Sequence, residues 1–306
     1  MIPAEDYRFL SEFVYRETGL SLGGGKEYLL ETRLGSVAER FGHGDLAGLV
    51  RVLRRNGDRT LARAVAEAMT TQETLFFRDN SPFKTLKDKL LAPLLEARRR
   101  TGQRLRVWSA ASSTGQEAYS VAMTLSTFTP PVAPAESEIV ATDYSPGALE
   151  RARAGLYTQF EVQRGLPVQM LVRFFRQSPA GFQIADEIRQ RVRFAEQNLL
   201  EPFTALGLFD LVFCRNVLIY FDTQTKKGVL NRLADALVPE GYMLLGSAET
   251  PYGLTDRLVR APGLEGGVYV LREYADRIAT AAAATAAAGA RGIANRAAVV
   301  GAPARP

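Results

Sequence analysis

Three observations predict an α/β protein in which a parallel sheet follows a helical N-terminal region. Arg106 to Ser120 reads R-V-W-S-A-A-S-S-T-G-Q-E-A-Y-S, a strand, a turn of small residues and then a helix. From Leu105 onward, apolar strand-like runs alternate with helical stretches, the pattern of parallel pairing. Residues 1 to about 95 instead carry apolar residues at helical spacing.

The helical region comes first. Tyr7, Leu10, Phe13 and Val14 make one stripe, and Gly19 with Gly23-Gly24-Gly25 breaks the chain before a helix from Tyr28 to Phe41. A third helix runs from Leu46 to Leu53. Arg51, Arg54 and Arg55 fall at i, i+3 and i+4 on one helical face, and Arg59 follows closely. That face is either solvated or a docking surface for an acidic partner. The linker T-T-Q-E-T-L-F-F-R-D, Thr70 to Asp79, leads into a helix from Pro82 to Arg100. Its Phe76 and Phe77 read as a staple between domains. Arg78 either pairs with an acid or enters a ligand cleft from outside the sheet.

The sheet begins at Leu105. A turn of small residues lets a ligand approach the backbone closely, although an ordinary βα loop is the alternative, since only Gly115 is a glycine. E-I-V-A-T-D-Y-S is a buried strand ending in Asp143, placed to accept ribose hydroxyls or to cap a helix. Residues 155 to 191 interrupt the rhythm: F-Q-I-A and V-R-F-A read as short strands near the turn S-P-A-G, a small β insertion. The main sheet resumes with Val192 to Ala195, then F-D-L-V-F-C-R-N, leaving Arg215 and Asn216 at a strand end. Helix Thr223 to Leu237, a turn at Pro239-Glu240-Gly241, strand Tyr242 to Leu245 and strand Gly267 to Leu271 complete the domain. Ligands of open α/β sheets sit beyond the C-terminal strand ends, so the 110–116 turn, Asp143, Asn198 and Asn216 should line one crevice. From about Ala275 the chain is Ala-rich, without large apolar residues to anchor a core, and is expected to be a disordered tail.

Composition narrows the function. In 306 residues, 46% hydrophobic and 23% charged content fit a globular protein, and a net charge of +5 is weak support for nucleic acid. One cysteine (Cys214) and one histidine (His43) cannot form a zinc cluster and disfavour a Ser/His or Cys/His engine; no metal is expected. The single cysteine, the lack of a spanning apolar run and an acidic N-terminus suggest a cytoplasmic protein without membrane insertion.

F-F-R-D, V-W-S-A-A-S-S-T-G-Q-E-A-Y-S, A-T-D, N-L-L and F-C-R-N-V-L-I-Y-F, in this order, resemble the CheR family of chemotaxis receptor glutamate methyltransferases. The match runs from about residue 5 to 272. It implies a Rossmann-like class I methyltransferase domain (81–273) with an inserted β-subdomain (about 157–191). A small all-α N-terminal domain with its linker (1–80) would precede it, and an Ala-rich tail (274–306) would follow. It implies S-adenosylmethionine as donor and S-adenosylhomocysteine as product, with glutamates on the cytoplasmic helices of methyl-accepting chemotaxis receptors as substrates. Carried across, the donor contacts are Gln72, Thr74, Arg78, Ala111, Glu117, Asp143, Asn198, Leu199, Arg215 and Asn216, with Glu117 on the methionine ammonium and Asp143 on the ribose. Arg78 and Tyr220 match the residues nearest the reacting methyl, and Arg51, Arg54, Arg55 and Arg59 would dock the receptor. Gln72 stands where the family more often has Asn, and Gln116 and Ala118 depart from the commoner E-E-P turn. The stretch between Phe175 and Val192 is short beside members that hold a receptor pentapeptide, which suggests pentapeptide-independent docking by a monomer. Alternatives are the same chemistry in a non-flagellar motility system, or a non-catalytic donor-binding module. A nucleic-acid methyltransferase is disfavoured, because R-N-V-L-I-Y-F stands where such enzymes carry an Asp/Asn-Pro-Pro-aromatic motif.

Overall fold

The computed structural model describes residues 2–23, 25–55 and 58–280. Four helices come first: α1 (Ala4–Thr18), α2 (Glu27–Arg40), α3 (Leu46–Arg54) and α4 (Arg59–Met69). They enclose a core of their own, including Leu10, Phe13, Leu34, Leu49, Leu53 and Leu61. Asp45 and Asp58 set the starts of α3 and α4 by accepting backbone N–H groups that lack intrahelical partners. Gly19 ends α1 in the left-handed region at φ 76°.

A continuous helical segment follows: α5 (Ser81–Thr85), a π turn (Leu86–Leu90) and α6 (Leu91–Thr101). The alternating half then contains β1 (Leu105–Ala110), α7 (Gln116–Ser126), β2 (Ser137–Asp143) and α8 (Pro146–Ala154). The insertion contributes β3 (Leu156–Tyr157), α9 (Gln159–Gln163), α10 (Val168–Phe174), β4 (Phe175–Ser178), β5 (Gly181–Ile184) and α11 (Asp186–Arg189). The chain returns through β6 (Val192–Glu196), β7 (Phe209–Cys214), α12 (Thr223–Asp235), β8 (Leu237–Leu245), β9 (Leu258–Arg260) and β10 (Val268–Leu271). The main sheet has the order β6-β2-β1-β7-β8-β10-β9, and the insertion forms its own sheet, β3-β5-β4. Strands β6, β2, β1, β7 and β8 are parallel, β10 runs against them, and the edge strand β9, antiparallel to β10, runs in their direction again. Strand order reverses between β1 and β7, which opens a crevice at their C-terminal ends.

Alternation along β1 divides the core. Leu105 and Val107 face the helices α5–α7, while Trp108 and Ala110 face α12. Trp108 is wholly buried, edge-on to Phe203 at 4.9 Å, and its indole N–H donates to Thr142 Oγ1 at 2.9 Å. Burying a side chain of this size contributes at least about 2–3 kcal/mol and fixes β1 against β2 just below the crevice.

Four expectations change. V-R-F-A, Val192 to Ala195, is not a strand of the insertion but β6 of the main sheet, and F-Q-I-A pairs instead with Phe175–Ser178. Pro239-Glu240-Gly241 is not a turn before a strand but an irregularity inside β8. Pairing there jumps from Phe209↔Leu237 to Leu211↔Tyr242, and proline, lacking an N–H, fits where the ladder is interrupted. The expected tail begins as structure: residues 272–280 are helical, with Tyr274 edge-on to Tyr242 at 6.1 Å and Arg277 paired with Glu240 at 2.9 Å. The rest of the Ala-rich tail lies outside the described residues. Lastly, Phe76 and Phe77 do not join the helical core. Phe76 packs on Tyr157 and Phe175, and Phe77 on Phe83, so they bind the linker to the sheet half and its insertion.

Candidate active site

The crevice is a cleft of about 900 Å³, counting its open mouth. Gln72, Thr74, Arg78, Ala111, Glu117, Asp143, Asn198, Leu199, Arg215, Asn216 and Tyr220 all line it. Residues far apart in sequence therefore converge on one space.

One wall is built locally. After β1 the turn passes through left-handed backbone at Ala111 (φ 54°), Ser113 (φ 51°) and Gly115 (φ 93°). A Cβ on Gly115 would lie 3.0 Å from the Ala152 Cβ and 3.2 Å from the Phe194 ring, so the glycine also serves close packing. The turn aims the Ser113 N–H at Asp143, whose Oδ2 accepts it at 2.8 Å, and Oδ1 accepts from Ser145 N at 2.9 Å. Ser145, not Asp143, caps α8. Burial holds the Asp143 carboxyl above the ordinary carboxylate range, although these N–H donors oppose the shift. Glu117, in the first turn of α7, accepts from Ser109 Oγ at 2.8 Å and pairs with Arg215 at 3.0 Å.

The opposite wall depends on distant partners. The Arg215 side chain is 1% exposed; besides Glu117 it reaches Asp79 Oδ2 at 2.7 Å and the Arg78 carbonyl at 2.9 Å. The linker at this point is strained, with Phe77, Asp79 and Asn80 at φ 49°, 66° and 50°. Arg215 and the Ser120 hydroxyl, which accepts from Phe77 N at 2.9 Å, hold it. Arg78 has no ion pair among the described residues and makes only a marginal 3.5 Å contact with the Glu73 carbonyl, which leaves its guanidinium available to the cleft.

Several cleft residues escaped the sequence reading. The end of α1 forms part of the wall through Thr18 and Leu20. Leu20 bridges to Phe221, Ser21 N donates to the Tyr220 carbonyl at 3.3 Å, and Asn198 Nδ2 donates to the Glu17 carbonyl at 2.8 Å. Glu249 lies behind the Asn216 loop and accepts its backbone N–H groups. Its only sequence signal is one acid among small residues after a strand, G-S-A-E-T.

Arg51, Arg54, Arg55 and Arg59 are not one free face. Arg54 is paired with Glu5 at 2.9 Å and Asp6 at 3.3 Å and lies over the Phe9 ring, because the first turn of α1 brings its acids to α3. Arg59 lines a separate cavity with Arg16, Arg63 and Glu196. Arg51 and Arg55 are exposed.

The cleft has the polar groups a charged, hydroxylated ligand requires. Gln72 Oε1, Asn216 Oδ1 and Arg215 Nε are buried without partners, two acceptors and one donor. Such groups are costly unless a ligand completes them. With Glu117 and Asp143 beside them, the set suits a molecule carrying an ammonium and ribose hydroxyls.

A family model described as the CheR methyltransferase SAM binding domain matches residues 72–262, and one for the CheR methyltransferase all-alpha domain matches residues 5–70. The chain belongs to the CheR methyltransferase family. A chemotaxis protein methyltransferase of Vibrio parahaemolyticus is 41% identical over 275 residues, covering 89% of this chain and 98% of its own. Chemotaxis protein methyltransferase 1 of Pseudomonas aeruginosa is 40% identical over 269 residues, covering 86% and 97%. This CheR-family chain is thus an S-adenosylmethionine-dependent methyltransferase, and its two matched regions meet at the linker that carries Gln72 to Arg78.

Proposed function

We propose that the cleft methylates glutamate side chains on the cytoplasmic helices of chemotaxis receptors, giving glutamate methyl esters. The observation that carries this reading is the convergence of Arg78 and Tyr220 on the same cleft as Glu117 and Asp143. When bound, S-adenosylmethionine supplies an electrophilic methyl on a sulfonium. Glu117 would bind its ammonium and Asp143 its ribose hydroxyls, with Gln72, Asn198, Leu199 and Asn216 around the remainder.

The substrate needs no general base, because a glutamate side chain with an ordinary pKa of about 4.3 is already an anion at neutral pH. A carboxylate oxygen forms the new bond to carbon, the carbon–sulfur bond breaks, and sulfur keeps the electron pair. No proton moves. The work left to the protein is in-line positioning and exclusion of water. Arg78 orients the carboxylate with its planar guanidinium, and Tyr220, at the mouth, steadies it through its hydroxyl.

Transfer of tritiated methyl to receptor-containing membranes, with donor affinity measured separately, tests these roles. Tyr220→Phe should lose about 10²-fold in turnover while donor affinity holds, and Arg78→Ala at least as much. Wild-type transfer by both variants, with donor and receptor bound normally, would refute the assignment. With Arg54 taken up by Glu5 and Asp6, Arg51, Arg55 and Arg59 are the exposed members of that basic set able to meet a receptor helix, in a cytoplasmic enzyme acting as a monomer. No described helix is long and apolar enough to cross a membrane.

A further inference from the structure

The wall formed by Arg215 to Tyr220 has little local support. The chain leaves β7 at Cys214 and turns sharply at Asn216, a non-glycine residue at φ 59°. Asparagine tolerates this conformation but does not enforce it. Three successive N–H groups in this turn find no partner within it. All three point to one side chain, Glu249, which is 6% exposed.

The division of bonds is even. Glu249 Oε2 accepts from Asn216 N and from Gly246 N, both at 2.7 Å. Oε1 accepts from Val217 N at 2.9 Å and from Leu218 N at 2.7 Å. A carboxylate is a pure acceptor with about four lone-pair sites, so one side chain satisfies four backbone donors from two segments. Gly246 makes room for it: a Cβ there would lie 2.6 Å from Glu249 Oε2 and 3.0 Å from Asn216 N. Glu249 does not itself line the cleft, whereas Asn216, Val217 and Tyr220 do.

We infer that Glu249 is the positioning residue for the reactive wall: it sets the turn that presents the unpartnered Asn216 Oδ1 and the Tyr220 hydroxyl to donor and substrate. This rests on the donor and substrate reading of that wall given above. A glutamine of the same size offers one acceptor oxygen and one NH2, so two of the four N–H donors would face another donor. The turn relaxes, and its side chains leave their register.

The test measures turnover, donor affinity and thermal unfolding for Glu249→Gln, Tyr220→Phe and their double variant. In folded Glu249→Gln, kcat should fall about 10²-fold, the effect of an ångström-scale misplacement, and donor affinity should weaken with it. The double variant should lose little beyond Tyr220→Phe alone, because the two act as a unit. A merely structural glutamate would lower the unfolding temperature but leave both kinetic quantities unchanged in the folded fraction; that result overturns the inference, as does full additivity. Wild-type rates in Tyr220→Phe alone would instead strike the role of Tyr220, whatever Glu249→Gln does. Should Glu249→Gln fail to fold, Gly246→Ala carries the test, since its methyl displaces the carboxylate without removing it. It should reproduce the loss, and wild-type turnover there would overturn the inference.

Discussion

The two walls of the cleft are built on different plans. On the β1–β2 side, Asp143 accepts N–H groups from Ser145, two residues on, and from Ser113 in the neighbouring turn. On the β7 side, Arg215 reaches back to Asp79 across the linker, and Glu249 reaches back to Asn216 from beyond β8. The Asp143 turn of the first wall is set by adjacent strand ends, with a linker contact where Ser113 Oγ donates to the Gln72 carbonyl at 2.9 Å. The second exists only once the whole sheet has closed, so damage there should spread between stability and chemistry, while damage to the first should stay local.

The largest expected effect is at the centre of the non-local wall. Arg215→Met removes a buried cation and leaves the buried Glu117 uncompensated, whereas Asp79, more than a third exposed, is screened by solvent. Breaking such a pair costs about 3–5 kcal/mol, readable as a lower urea midpoint. The strained linker at Phe77–Asn80 should also become more open to proteolysis. An unchanged midpoint would mean that the linker holds itself and that the two walls do not differ as described.

A smaller effect should appear on the local wall, through pH. The folded Asp143 carboxyl holds its proton to a higher pH than the unfolded chain's ordinary value of about 3.9. Its contribution to stability is therefore full below that ordinary value and is lost as pH rises through the raised folded value. For donor binding the sign is opposite. On acidification, Asp143 loses its charge earlier than an ordinary carboxylate, so affinity should begin to fall above about pH 4. Comparison with Asp143→Asn isolates this group, since the variant cannot titrate there. Parallel pH curves for the two proteins would remove Asp143 from the donor site.

The smallest effects belong to the surface. Arg54→Ala breaks exposed pairs with Glu5 and Asp6 and should cost less than about 1 kcal/mol. Charge reversal at Arg51 and Arg55 should leave donor affinity unchanged and weaken methylation of receptor membranes. Equal receptor methylation before and after that reversal would return both residues to a solvated face.

This contrast also explains what could be read before the fold was known. The strand, small turn and helix from Leu105 to Leu125 declare themselves because the apolar period changes within one short stretch, and Asp143 follows because strand ends carry ligand groups in such sheets. Pro239 to Gly241 misled because a bulge is a relation between two strands, invisible in either alone. β9 is only Leu258–Arg260, too short to show alternation. Arg51, Arg54 and Arg55 share a helical face as spacing requires, but nothing within α3 reveals that α1 brings Glu5 and Asp6 to one of them. The Asn198 to Glu17 bond and the three bonds from Asn216, Val217 and Leu218 to Glu249 belong to the same class. The resemblance carried by F-C-R-N-V-L-I-Y-F brought Tyr220 into view; Arg78 already stood out as an arginine after two aromatics in the linker, and periodicity revealed neither.

The seam where α1 meets the cleft has a consequence for how the molecule can vary. Glu17, Thr18 and Leu20 belong to the helical half, yet they help enclose the space where the donor is expected. A graft that replaces α1–α4 with those of a relative would therefore exchange part of that enclosure together with the surface proposed above to meet the receptor. Receptor preference and donor affinity would be inherited as a linked pair, and a lineage adapting to a new receptor would have to retune both.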